Sequence, residues 1–140
     1  GAPLDGLARG GWQLAWSDAP SDNFKAGETR AKASDFSDSL GLRVASDGKL
    51  AEVLWDGPAF RAGLAPSATL VAVNMRSFTP DVLKQAIVAN QDGQSPIDLL
   101  VRDGTHFRHL RIDWRGGLRY PRLERIAGRE DHLSALLNPR

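Results

Sequence analysis

Apolar positions along the chain fall into short runs punctuated by glycine, proline and aspartate. Trp12, Leu14 and Trp16 alternate with Gln13, Ala15 and Ser17, the period of a half-buried strand. Leu40 to Ala45 and Lys49 to Trp55 read as two strands folded back on each other by Ser46-Asp47-Gly48. Asp56-Gly57-Pro58 breaks the second run and opens a short helix, with Ala59, Ala62 and Leu64 on its apolar side and Gly63 as a left-handed stop. Thr69 to Asn74 predicts an apolar strand. Thr79-Pro80 supplies a hydroxyl cap and a proline at the first helical position, starting a helix that runs to about Asn90 with Asp81 near its positive end. Ile97 to Arg102 and His106 to Trp114 flank Asp103-Gly104, a strong hairpin signal. Residues 3–9 and 129–137 read as short helices, stopped or preceded by Gly10-Gly11 and Gly128, and the polar stretch 17–38 reads as a loop or linker. About six or seven short strands with two or three helices, joined by hairpins and short corners, predict an α+β, mostly β domain built as a small antiparallel barrel or sandwich.

Composition narrows the classes without choosing among them. At 140 residues the chain suits one domain with appendages, long enough to bury a core without covalent staples. The apolar share of 41% and charged share of 25% are ordinary for a globular protein, and a net charge of +1 gives no global field toward nucleic acid or a membrane surface. Without cysteine there are no disulfides, thiolate nucleophiles or cysteine-based zinc sites. No apolar run approaches the roughly 20 residues of a membrane span. The opening Gly-Ala-Pro-Leu has neither a methionine nor a signal peptide and reads as a piece of a longer protein.

One stretch gathers most of the specific signal. Ser39-Leu40-Gly41-Leu42 places a glycine-bearing loop just before a strand, where backbone N–H groups could hold a carboxylate. The strand from Leu42 to Val44 would offer its free edge to an added peptide strand, and the helix from Pro80 would form the facing wall. On that helix Leu83 with Ile87, or Val82 with Ala86, share a face at i, i+4 spacing; the bulkier Leu83 and Ile87 are preferred. Together with Asp56-Gly57-Pro58-Ala59-Phe60-Arg61-Ala62-Gly63-Leu64-Ala65-Pro66, the strand Leu70 to Asn74 and the Thr79-Pro80 helix, this order resembles a PDZ domain. The resemblance implies a peptide-binding groove built from Leu40, Gly41, Leu42, Arg43, Val44, Leu83 and Ile87.

A narrower resemblance spans nearly the whole chain. Pro3-Leu4, Leu7 to Trp12, Ser39 to Leu42, Gly116-Gly117-Leu118-Arg119-Tyr120-Pro121-Arg122-Leu123-Glu124-Arg125, Asp131-His132-Leu133, Leu136-Leu137 and Pro139-Arg140 are similar to the C-terminal PDZ region of bacterial glycyl aminopeptidase-type zinc metallopeptidases. That resemblance implies a lead-in segment over 1–38, a PDZ-like domain over 39–115 and a C-terminal extension over 116–140. It also implies a zinc-bearing catalytic domain outside this chain, a hydrolase acting in proteolysis, and a periplasmic or secreted location. The chain departs from the pattern at Ser67 and Met75, which stand where glycines are usual; if those turns need positive φ, each costs roughly 1 kcal/mol.

Catalytic signatures are missing. There is no His-Glu-x-x-His and no Gly-x-Ser-x-Gly, and the carboxylates are scattered. His106 and His109 fall on opposite faces of a predicted strand, and His132 sits beside Glu130 and Asp131 on a solvated helix. The arginines at 108, 111, 115, 119, 122, 125 and 129, with Trp114 and Tyr120 among them, could be taken for a nucleic-acid stripe, but with Asp113, Glu124 and Glu130 at hand they read as a solvated or interdomain face. The expectation is therefore a chain that is not itself an enzyme, holds no cofactor, and holds a peptide, a protein C-terminus or an extended segment beside the parent's catalytic domain. The alternative is a packing module that takes no free ligand.

Overall fold

The structure, a computed structural model, describes residues 11–125. The helices expected over 3–9 and 129–137, and His132 with them, lie outside the described residues. Nine strands and three α-helices follow the order β1 (Trp12–Ser17), α1 (Asp22–Ala31), β2 (Ala33–Phe36), β3 (Leu42–Ala45), β4 (Leu50–Val53), α2 (Pro58–Ala62), β5 (Thr69–Val73), β6 (Arg76–Ser77), α3 (Pro80–Ala89), β7 (Ile97–Asp103), β8 (His106–Ile112) and β9 (Tyr120–Arg125). They form three antiparallel sheets in the orders β1-β9, β2-β3-β4 and β6-β5-β7-β8. Among the described residues the architecture is mixed α and β, with no closed barrel.

The elements expected around Asp47-Gly48, Pro58, Thr79-Pro80 and Asp103-Gly104 all form. Thr79 accepts the Val82 N–H at 3.1 Å and Pro80 opens α3, which satisfies an orphan donor of the first turn. Gly63 closes α2 at φ +101°. Gly48 joins two sheets: its φ is +94°, its carbonyl accepts the Leu70 N–H at 2.7 Å, and a Cβ there would lie 2.2 Å from the Leu70 carbonyl oxygen. The crossing continues with the Leu50 N–H donating to Ala68 O at 2.9 Å. The buried faces of the two larger sheets meet in one core of Phe36, Leu40, Leu42, Val44, Leu50, Leu70, Val73, Ile97, Leu99 and Val101, closed by Ala59 of α2 and Leu83, Ala86 and Ile87 of α3.

Residues 17–38 are not a loop, which corrects the expectation for that stretch. They contain α1 and β2. The helix lacks apolar periodicity, and none of its residues is buried. It stands on end effects instead. Ser21 accepts the Phe24 N–H at 3.1 Å, Asp22 sits in the first turn, and Lys32 caps the last turn at φ +55° with its N–H directed to Glu28 and Thr29 carbonyls. Tertiary contact completes it: the Phe24 ring meets Tyr120 edge-on at 5.1 Å, a favourable aromatic geometry. The C-terminal extension likewise contributes β9, which pairs along all of β1 from Trp12↔Arg125 to Ser17↔Tyr120. A two-stranded ribbon is marginal alone; buried Tyr120 and half-buried Trp114 and Leu118 tie it to the body.

Ser67 and Met75 do occupy left-handed backbone, at φ +77° and +68°. Asn74 (φ +50°) and Met75 form the two-residue connection between β5 and β6, a turn in which both central residues need positive φ and Asn-Gly is favoured. The Met75 side chain is 93% exposed and contributes no packing that offsets the strain. Ser67→Gly and Met75→Gly are each expected to stabilise the fold by about 1 kcal/mol and raise Tm by about 3 °C in thermal unfolding; unchanged or lowered Tm for both would contradict the strain argument.

Tyr120 gives a second expected outcome. Burial, then the nearby negative charges of Glu28 and Asp35, push its phenol up to about 12. A phenol whose pKa rises on folding adds stability that is complete below its unfolded value near 10 and is lost as pH climbs through about 12. It is the one tyrosine in the chain, so tyrosinate absorbance reports it alone. Folded protein should titrate about 2 units above denatured protein, and Tyr120→Phe should lose less stability than the parent between pH 10 and 12. Equal titration midpoints would refute the burial.

Candidate functional site

The expected site begins at the loop before β3. Gly41 takes φ +78°, and a Cβ there would sit 3.4 Å from Gly57 Cα, so two glycine backbones pass in contact. Both loop carbonyls are held: the Ala59 N–H donates to Leu40 O at 2.8 Å and the Leu54 N–H to Gly41 O at 2.9 Å. The loop is therefore anchored to the start of α2. Leu40, Leu42 and Val44 are fully buried in the core. Arg43 points to the other face, where its Nε donates to Glu52 Oε1 of β4 at 3.0 Å. On α3, Leu83 and Ile87 are fully buried, Ala86 is buried and Val82 is half-buried. All four belong to or pack against the same core, so burial does not separate the two candidate pairs.

The edge of β3 is paired, which corrects the expectation of a free edge on that strand. β4 pairs with one side of β3 and β2 with the other. The β2–β3 register runs antiparallel, Ala33↔Ala45, Ser34↔Val44, Asp35↔Arg43 and Phe36↔Leu42. At its end the Phe36 carbonyl accepts three hydrogen bonds: from the Gly41 N–H at 2.8 Å, the Ser39 N–H at 3.2 Å and the Ser39 hydroxyl at 3.4 Å. The donors imagined for a ligand are thus spent on the chain itself. The Phe36 ring is 1% exposed and shares the core with Leu40, Leu42, Leu83 and Ile87. On its outer side β2 is capped rather than extended: the Asp35 N–H donates to Glu28 Oε2 of α1 at 2.7 Å, and Asp35 Oδ1 accepts the Ser37 N–H at 2.9 Å. Burial, with Asp35 nearby, holds the Asp38 carboxyl above its usual range against the opposing pull of Arg119.

Sequence patterning missed Phe36, since one apolar residue among Ser, Asp and Lys shows no period. It also missed the exposed aromatic pair Trp55 and Phe60, with ring centroids 4.6 Å apart on either side of Gly57-Pro58. The six arginines of that run between positions 108 and 125 pair with carboxylates or lie over tryptophan rings. Arg108 meets Asp103 at 3.2 Å, Arg111 meets Asp98 at 2.9 Å, Arg115 meets Asp113 at 2.8 Å and Arg122 reaches Glu124 at 4.0 Å. Arg119 lies 4.5 Å over Trp16, and Arg125 5.0 Å over Trp12. His106 and His109 stand opposite Asp103 and Leu100 in the β7–β8 ladder. Among the described residues no group of three or more His, Asp or Glu is placed to hold a metal.

No family profile matches the chain, and no curated protein matches it in sequence. Solved structures do match. One is the HtrA3 PDZ domain bound to a phage-derived ligand (FGRWV), 18% identical over 84% of this chain and 95% of that chain, with a TM-score of 0.42. Another is an aminopeptidase N family protein from Idiomarina loihiensis, 17% identical over 87% of this chain and 21% of that one, with a TM-score of 0.51. This chain spans about a fifth of that protein, and at such identities the likeness is one of fold. Over 87% of its length the chain shares the fold of part of that aminopeptidase N family protein, and the glycine loop before β3 and the capped helix α3 stand in the order that the sequence resemblance to a PDZ domain implies.

Proposed function

We propose that this chain is a non-catalytic, strand-holding module of a longer zinc peptidase, which positions extended polypeptide beside a catalytic domain that carries the zinc. One observation supports this above the others. β3 and the loop before it hold an extended segment antiparallel, with the last carbonyl of that segment on the Ser39 and Gly41 N–H groups. Main-chain pairing of this kind gives affinity for backbone in general, while pockets for alternate side chains give selectivity. The fold likeness to part of an aminopeptidase N family protein supports the peptidase setting.

A second reading, a packing module without a free ligand, is favoured by the same occupied edge. It also draws on the exposed face of the β1–β9 ribbon, where Trp12, Leu14, Trp16 and Leu123 are each between 38% and 52% exposed. The two readings separate in the full-length peptidase with and without residues 11–125. Positioning predicts that deletion raises KM for peptides of six or more residues by about tenfold and leaves a single-residue chromogenic amide unchanged. Equal losses on both substrates would favour the packing role and overturn the positioning role.

A further inference from the structure

We infer that the outward face of the β1–β9 ribbon is a docking site for a segment of this same chain, residues 129–137, laid across it as an amphipathic helix. This goes beyond both readings of the function, and it leaves the packing reading to rest on the occupied edge of β3 alone. Cross-strand partners in an antiparallel pair share a face. The register Trp12↔Arg125, Leu14↔Leu123 and Trp16↔Pro121 therefore gathers two tryptophans, two leucines and a proline on one side of the ribbon. The other side carries Tyr120, which is buried and meets Phe24 of α1. On the gathered side Trp12, Leu14, Trp16 and Leu123 are all exposed. Beside them Leu14, Pro121 and Leu123, with Pro20, Ser21 and Asn23 at the start of α1, line a hollow of about 600 Å³. A bare apolar face of this kind marks a site of contact.

The sequence that follows β9 supplies the cover. Residues 126–140 lie outside the described residues and enter through their sequence alone. Leu133, Leu136 and Leu137 stand at i, i+3 and i+4, one apolar side of a helix whose other positions are polar or small. So short a helix is marginal in water alone, and its leucines need a surface. The length fits: at about 1.5 Å per residue, Arg129 to Leu137 spans about 12 Å, and at about 3.3 Å per residue, Trp12 to Trp16 spans about 13 Å. The direction fits as well. β9 ends at Arg125, beside Trp12, and only Ile126-Ala127-Gly128 separate it from Arg129. A helix turned back at Gly128 runs antiparallel to β9, from the Trp12 end toward the hollow, and brings its leucines over Leu14 and Leu123. Its first turn brings Glu130 and Asp131 to the end where the Arg125 guanidinium lies 5.0 Å over Trp12, an arrangement of opposite charges. The short connection gives this segment an effective concentration that a second copy lacks. Residues 3–9, which lead into the same end of the ribbon, offer Leu4 and Leu7 and about 9 Å of helix, less than the face is long.

Hydrogen exchange and NMR on the 140-residue chain test this. Amides of residues 132–137 should exchange at least about tenfold more slowly than in the Leu136→Asp, Leu137→Asp double variant. That variant should also shift the indole N–H signals of Trp12 and Trp16, while the indole of Trp55 and the amides of Leu40 to Ala45 stay in place. In the reverse direction, Leu14→Asp with Leu123→Asp should remove the protection of residues 132–137 without altering their sequence. Should that ribbon variant lose its β1–β9 pairing, the helix variant decides, since it leaves the ribbon sequence intact. Deleting residues 1–9 should leave the protection of residues 132–137 unchanged. Fast exchange of residues 132–137 in the unaltered chain, or Trp12 and Trp16 signals that ignore the helix variant, overturns the inference. So does protection that fades on about tenfold dilution, which would assign the face to a second copy.

Discussion

The Phe36 carbonyl, taken by the Ser39 and Gly41 N–H groups, is the contact on which the rest of the arrangement depends. A loop of consecutive backbone donors is costly to bury without acceptors. Something must occupy it, and here the nearest acceptor in the chain does. Once that carbonyl is placed, Phe36 enters the core, β2 is drawn alongside β3, and the edge that would lie open is paired. The same placement fixes α1, because Glu28 must reach the Asp35 N–H. Phe24, one turn earlier on that helix, then meets Tyr120 and holds the β1–β9 ribbon to the body. Loop, strand, helix and ribbon form one chain of dependence that starts at a single oxygen atom.

This dependence explains which parts of the fold are legible in sequence. Elements that carry their own instructions can be read directly: Pro58 and Gly63 at the ends of α2, the Thr79-Pro80 cap of α3, and Asp103-Gly104 between β7 and β8. The left-handed backbone at Ser67 and Met75 is also legible, because the glycine-to-side-chain departures stand inside otherwise regular turns. Elements that exist through contact cannot be read. α1 has no buried residue, and β2 has one large apolar side chain among small and polar neighbours. Neither has a period, so a polar stretch of this kind reads as a loop until the Tyr120 ring, the Leu42 edge and the Glu28 carboxylate are in place. Tyr120 itself stands inside the most distinctive stretch of the sequence, and only the fold shows that it serves as the anchor for α1.

The candidate residues were legible as positions on strand and helix, but the surface around them was not. Leu40, Gly41, Leu42, Val44, Leu83 and Ile87 lie where strand and helix reading puts them, yet their burial comes from a segment that pattern analysis left unstructured. Periodicity tells which side chains face inward. It carries no information on whether the inward side is roofed by the chain or left for a partner, because the same alternation serves both.

That ambiguity turns on a balance of small terms. Displacing β2 would expose the Phe36 ring, worth about 1.5–3 kcal/mol of burial, and would release the Glu28 cap. An incoming peptide with its own terminal ring restores the burial and the ladder, so these terms nearly cancel. What remains against the newcomer is the entropy of association, and in favour of β2 its attachment through the five residues from Ser37 to Gly41, a short loop that gives a high effective concentration. Tethering rather than better contacts is therefore the main advantage of the internal strand. The occupied edge is thus held closed by chain connectivity more than by the chemistry of its contacts.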